Sequence, residues 1–263
     1  MENASHTDYD KVVKRIDGLA ERGWFKDFLA EADGYPLFKL ENGPKVDRRL
    51  ERPTLLIDAG IHGEEPASVL GLLDWLETSA DRWLSKIDFT VFPCLNPWGF
   101  ERGIRYDPRG KDLNREFNNP VHPAVVSFCD AIAGRRFDLF LDLHEDCDFH
   151  GMYLFEVLVE SATSSATPTL GRTILDACRD FVPLSDGEDI GGLSTQDGMV
   201  AGSITREELD DWDEWPIALY AFVHHTDTVV TVETPGKQPL DLRRRLHGLA
   251  LDIVCERLTK ETP

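Results

Sequence analysis

Residues 54–78 read TLLIDAGIHGEEPASVLGLLDWLET. The first six residues form an apolar run that stops at Gly60, which fits a strand buried on both faces. Ten residues later Val69, Leu72, Leu73 and Leu76 recur at helical spacing, so residues 65–78 read as a helix. A buried strand, a short loop and a helix together make the repeating unit of an α/β domain.

The same grammar extends along the chain. Residues 35–40, 87–95, 137–143 (FDLFLDL), 152–159 and 228–232 (TVVTV) read as strands. Residues 123–133, 170–181 and 240–258 read as helices, the last with cations at residues 243–245. Residues 11–31 carry Val12, Val13, Ile16, Leu19, Phe25 and Leu29 at helical spacing, interrupted by Gly18 and Gly23. Strands that are apolar on both faces and alternate with helices predict a three-layer α/β/α architecture, a single domain over residues 1–263. Ligands of such sheets bind at the carboxyl ends of the strands, so site residues are expected just after strands.

Charge narrows the function. The 263 residues hold 28 Lys+Arg against 48 Asp+Glu, a net charge of −20. A phosphate backbone or an anionic membrane would be repelled, so neither nucleic acid nor membrane is an expected partner. Residues 1–20 lack an apolar run and carry acids early, unlike a secretory signal. The cysteines, Cys94, Cys129, Cys147, Cys178 and Cys255, are odd in number and contain no C-x-x-C. Reduced thiols and a cytoplasmic location are the expectation.

Four groups carry chemistry. His62 and Glu65 follow the strand at residues 54–59, and a His and Glu three apart can bind one metal ion; they also suit an ordinary helix start. His144 ends the strand at residues 137–143. With His62 and Glu65 it completes two imidazoles and one carboxylate, the catalytic zinc pattern with an open position. Glu233 leaves the TVVTV strand either as a solvated cap or as a general base acting on an attacking water. The loop from Asn96-Pro97-Trp98-Gly99 through Arg105 to Asp112-Leu113-Asn114-Arg115 is either a solvated basic loop or a carboxylate receptor, since guanidinium groups bind carboxylates bidentately.

In this order the motifs H-x-x-E, N-P-x-G, D-x-N-R, a lone His and a strand-end Glu resemble the zinc carboxypeptidases of the carboxypeptidase A type, the M14 peptidase family. The resemblance spans most of the chain. It implies a mixed, largely parallel central sheet and one zinc ion held by His62, Glu65 and His144. It implies Glu233 as general base and proton shuttle, and Asn114 and Arg115 as the pair that binds the substrate's terminal carboxylate. Asp112 matches the acid that holds a ligand histidine, and Arg105 the arginine that polarises the scissile carbonyl. The spacing from Asn96-Pro97 to Arg105 is shorter than in the digestive enzymes.

His62-Gly63-Glu64-Glu65, Asp142-Leu143-His144 and the Arg105 to Arg115 pattern also look like the aspartoacylase and succinylglutamate desuccinylase branch. That branch carries a β-rich domain after its catalytic Glu, whereas the 30 residues after Glu233 read as one helix, which favours the compact carboxypeptidase type. The expected substrate is a peptide or an N-acyl amino acid with a free carboxylate. The alternatives are a metallocarboxypeptidase, an N-acyl amino acid deacylase and a non-enzymatic binding protein on the same fold.

Residues 206–222 are expected either as a surface helix or as a cover for the cleft, with Tyr220 in the region where the family carries a substrate-capping tyrosine. Acids cluster there (Glu207, Glu208, Asp210, Asp211, Asp213, Glu214) and beside His144 (Glu145, Asp146, Asp148). Such charge would steer against polyanionic substrates. His150, His224 and His225 are expected in surface or structural roles.

Overall fold

The computed structural model describes residues 7–42, 52–158, 168–200 and 212–261. Glu207, Glu208, Asp210, Asp211 and Val159 lie outside them. One ten-stranded mixed sheet runs through the molecule in the order β1-β2-β4-β3-β5-β10-β6-β9-β8-β7. Its strands are β1 (Phe25–Ala32), β2 (Tyr35–Glu41), β3 (Thr54–Ala59), β4 (Asp88–Phe92), β5 (Leu139–Asp146), β6 (Tyr153–Leu158), β7 (Asp189–Ile190), β8 (Leu193–Gln196), β9 (Met199–Val200) and β10 (Thr228–Pro235). The parallel part is central: β4, β3, β5 and β10 run parallel to one another. The flanking pairs β1–β2, β2–β4 and β10–β6 are antiparallel.

Helices cover both faces. On one lie α1 (Tyr9–Glu21), α2 (Pro66–Thr78), α5 (Leu170–Cys178) and α7 (Leu240–Glu261), packed on Leu55, Ile57, Leu141, Leu143, Val230 and Val232. On the other lie α4 (Pro123–Ile132) and α6 (Ile217–His224), packed on Leu56, Phe92, Phe140 and Val229. Alternate residues of each central strand therefore enter opposite cores, which is why these strands read as continuous apolar runs. Among the described residues, no helix is long and apolar enough to cross a membrane.

The structure corrects the helix expected over residues 11–31. The helix ends at Glu21, Gly23 takes φ +99°, and Phe25 opens the edge strand β1. A register shift between Phe28 and Ala30 interrupts that strand's period-2 pattern, which is how its apolar residues came to mimic helical spacing. Two expected strands are longer than read: β5 runs through His144 and β10 through Glu233. The strand expected over residues 87–95 is shorter, and residues 97–102 beyond it form the helix α3 (Pro97–Arg102).

One buried group ties the far side of the sheet to pH. His247 of α7 is fully buried; one ring nitrogen shares a 3.1 Å hydrogen bond with Thr234 Oγ1 and the other has no hydrogen-bond partner among the described residues. Burial pushes its pKa down to about 3. The unfolded chain takes up this proton near pH 6.5, so the unfolded state binds more protons between those values. Stability therefore falls as pH drops through that window, by up to about 1.4 kcal/mol per pH unit. Thermal melts from pH 7 to pH 4 should show a shallower acid loss in His247→Gln than in the wild type; equal slopes would contradict this.

Candidate active site

The carboxyl ends of β3, β5 and β10 open into a cleft of 480 Å3. Two loops follow the strands here and stack closely. A Cβ at Gly63 would lie 2.0 Å from the carbonyl carbon of Gly99, so only glycine fits between the H-x-x-E loop and α3. Asn96 Oδ1 accepts from Gly99 N at 2.9 Å and caps α3. Its amide donates to the carbonyls of Arg105 and Tyr106, both at 3.2 Å. Asn96 thus positions the loop that carries Arg105 to Arg115.

His62, Glu65 and His144 come together from residues up to 82 positions apart, each buried, with one potential ligand atom apiece within 4.8 Å of the others. His62 Nδ1 lies 2.6 Å from Glu65 Oε1, and His144 Nδ1 lies 2.9 Å from Glu65 Oε2. The opposite ring nitrogens also face carboxylates: His62 Nε2 meets Asp112 Oδ1 at 3.2 Å and His144 Nε2 meets Asp142 Oδ1 at 2.9 Å. A neutral imidazole carries one N–H. With that proton on Nε2 toward the aspartate, both Nδ1 lone pairs point at the Glu65 carboxylate. A cation among them converts three mutually repelling lone-pair donors into ligands, so the donor set fits a divalent metal ion.

The acids behind the histidines are themselves fixed. Asp112 accepts from Asn114 N at 2.9 Å and from Arg105 Nε at 3.0 Å. Burial works to raise its pKa, but the His62 hydrogen bond and the charges of His62, Arg105 and Arg115 hold it well below the usual carboxylate range. Asp142 accepts from Thr231 Oγ1 at 3.0 Å. Asp58, its neighbour in register on β3, is fully buried, and burial followed by the Asp142 charge pushes its carboxyl well up.

Glu233 sits beside His144 on one side and Tyr153 on the other, in register on adjacent strands, and lines the cleft. Burial pushes its carboxyl well above 4.5; His144 opposes this, while Glu65, Asp146 and Asp142 reinforce it. Asn114 also lines the cleft, and its Oδ1 accepts from Ile217 N at 2.7 Å, which pins the loop to the start of α6. Arg115 is exposed, lines the cleft and makes no ion pair among the described residues. Arg105 instead is engaged by Asp112, with Glu64 Oε1 at 3.7 Å and Glu65 Oε1 at 3.9 Å from its Nη1.

All the sequence-predicted site residues thus fall at one sheet edge. Tyr220 does not join them: its ring packs on Phe117 and His224, outside the cleft lining. Trp212, Pro216, Ala218 and Leu219 line the cleft instead. His150, His224 and His225 lie outside the three-donor cluster. Sequence reading passed over Asp142 as a partner of His144, although two residues apart on one strand places both on the same face.

The chain and its fold are similar to known proteins. Residues 51–167 match the family model of the succinylglutamate desuccinylase/aspartoacylase catalytic domain. The whole fold matches that of a metallopeptidase candidate from Shewanella amazonensis, with a TM-score of 0.82 and 24% identity over 97% of this chain and 95% of that one. It also matches a metallo-carboxypeptidase from Pseudomonas aeruginosa in complex with (2-guanidinoethylmercapto)succinic acid, with a TM-score of 0.59 and 21% identity over 94% of this chain and 67% of that one. Carboxypeptidase SOL1 of Arabidopsis thaliana is 25% identical over 125 residues, which are 44% of this chain and 24% of that protein. The fold is that of the metallocarboxypeptidases, and the resemblance read from the motifs holds for both the carboxypeptidase and the aspartoacylase branches.

Proposed function

We propose that the protein is a zinc-dependent hydrolase that cleaves an amide bond beside a free carboxylate, acting as a metallocarboxypeptidase. The observation that carries this reading is the convergence, in one cleft, of the His62–Glu65–His144 donors with Glu233, Asn114 and Arg115. Zinc bound by His62, Glu65 and His144 would supply Lewis acidity to the scissile carbonyl and acidify an attacking water. Asp112 and Asp142, beside the far ring nitrogens, would favour the tautomers that leave both Nδ1 atoms free to hold the ion.

Asn114 has its amide oxygen committed to α6, so its amino group is the donor left for a substrate carboxylate. Arg115 supplies the matching charge. Glu233 takes the proton of the attacking water and returns it to the leaving amine; its raised pKa suits both tasks. Arg105, held by Asp112, adds positive charge where the carbonyl oxygen becomes anionic.

The match to the deacylase catalytic domain supports a second reading, cleavage of a small N-acyl amino acid. The electrostatics of the cleft favour the first. Of the eight acidic residues that line it, Glu65, Asp142 and Glu145 face the proposed cation, His144 and Arg243, and Glu64, Asp146, Asp148, Glu156 and Glu233 remain against Arg105 and Arg115. A substrate with several carboxylates, such as an N-succinyl or N-acyl acidic amino acid, meets net repulsion there. The succinic acid derivative held by the Pseudomonas carboxypeptidase carries a guanidino arm beside two carboxyl groups; the cationic arm alone would be complementary to the acidic walls here.

A panel of peptides with acidic, neutral and basic carboxyl-terminal residues, run beside N-acyl amino acids, tests the choice. Peptides ending in neutral or basic residues should exceed those ending in acidic residues by about tenfold or more in kcat/KM, and the gap should narrow with added salt. Faster turnover of N-acyl dicarboxylates than of any peptide would overturn the carboxypeptidase reading.

A further inference from the structure

Glu65 occupies the N-cap position of α2, yet its side chain makes no capping bond. Its carboxylate is turned to the two imidazoles instead. The N–H of Ala67, in the first turn, would normally be satisfied by such a cap. Here it donates to Glu145 Oε1.

Glu145 does more than replace the cap. It directly follows His144, its side chain is fully buried, and its backbone N–H donates to Glu65 Oε2 at 3.1 Å. Its other carboxylate oxygen accepts from Arg243 Nη1 of α7, and Arg243 Nε in turn donates to the Gln238 carbonyl at 2.9 Å. A buried carboxylate with no ligand role is expensive unless paired and hydrogen-bonded. The helix N-terminus and Arg243 together compensate this one.

We propose that Glu145, anchored by Arg243, is a positioning residue for the metal ligand Glu65. By capping α2 in place of Glu65, it frees the Glu65 carboxylate to face His62 and His144. Its main-chain N–H then holds one Glu65 oxygen at His144. Without the cap from Glu145, the Glu65 carboxylate has a competing partner in its own helix, the free N–H of Ala67, and leaves the position between the imidazoles for part of the time. This proposal rests on the metal-site reading above, and it predicts weaker metal binding with all three donors intact.

Zinc affinity, measured by competition with a chromophoric chelator, and the melting temperature of the zinc-free protein together separate positioning from simple stability. Glu145→Met should raise the zinc Kd by about 10- to 100-fold, the usual effect of losing a partner behind a ligand. Glu145→Gln keeps an oxygen for the Ala67 N–H and should restore affinity to within a few-fold of wild type.

The double variant Glu145→Met with Arg243→Leu removes the unpaired guanidinium, so it should melt higher than Glu145→Met alone while binding zinc equally weakly. That double variant carries the test should Glu145→Met not fold. Wild-type zinc affinity in a folded Glu145→Met or double variant would overturn the proposal. Failure of the wild-type protein to bind zinc would overturn the underlying metal-site reading, and this proposal with it, and would be seen first.

Discussion

Glu233→Gln is expected to fold, to bind one zinc ion and to lose roughly a thousandfold in kcat, within the range that a positioned general base contributes. The argument starts from the strand. Thr228–Pro235 is flanked on both sides, by β5 in parallel and β6 antiparallel, so the backbone at Glu233 has no freedom to drift. Its side chain emerges on the face that also presents His144, in register with it. Burial and the nearby negative charges of Glu65, Asp146 and Asp142 push its carboxyl above the ordinary 4.5, against the pull of His144.

A base must be deprotonated to act, so activity falls as pH drops through this raised value. The acid limb of kcat/KM should therefore lie above pH 4.5 in the wild type. In Glu233→Gln the residual rate should lose that limb. Glutamine preserves the shape and removes one negative charge, so zinc retention separates loss of the base from loss of the site. An undiminished rate in a zinc-loaded variant would remove Glu233 from the mechanism.

The second large effect belongs to His144. His144→Gln should weaken zinc binding by more than the 10- to 100-fold typical of a partner behind a ligand, and activity should disappear at stoichiometric zinc. His144 lies between Glu65 Oε2 and Asp142 Oδ1, both 2.9 Å away. Burial alone would lower its pKa, but Asp142 and Glu65 raise it well above 6.5. In the zinc-free protein its positive charge therefore compensates two buried acids. Its removal leaves them facing one another, so the zinc-free variant should also melt several degrees below the zinc-free wild type. Titration with zinc monitored by calorimetry checks the first effect and a melting curve the second. Tight stoichiometric binding in the variant would show that His144 is not a ligand.

Much of this site was legible in the sequence because chemistry and burial follow the same pattern. TLLIDA, FLDLHED and TVVTVE are apolar on both faces because both faces of the sheet are covered; the last two end in residues of the cleft, and the first leads to His62 three residues on. The N-P-x-G and H-x-x-E glycines were visible as motifs. Their reason, the near contact of Gly63 with Gly99, belongs to tertiary packing.

What escaped the sequence had no local signal. Arg243 and Glu145 are 98 positions apart, and a cationic run at residues 243–245 on a helix reads as a solvated face until α7 is docked. The short strands β7 to β9 of the glycine-rich segment 187–200 are too brief to show a period. Phe25 and Leu29 mimicked a helix because a bulge breaks the alternation of β1.

The most direct test of a zinc hydrolase that reads a terminal carboxylate is one paired assay. Zinc-free protein is titrated with zinc and assayed on a peptide and on the same peptide with an amidated carboxyl terminus. Activity on the free acid should rise linearly to a break at one zinc per chain, and the amide should react at least about a hundredfold more slowly, since Asn114 and Arg115 then lose a charged partner. Full activity without zinc, or equal rates on acid and amide, would contradict the account.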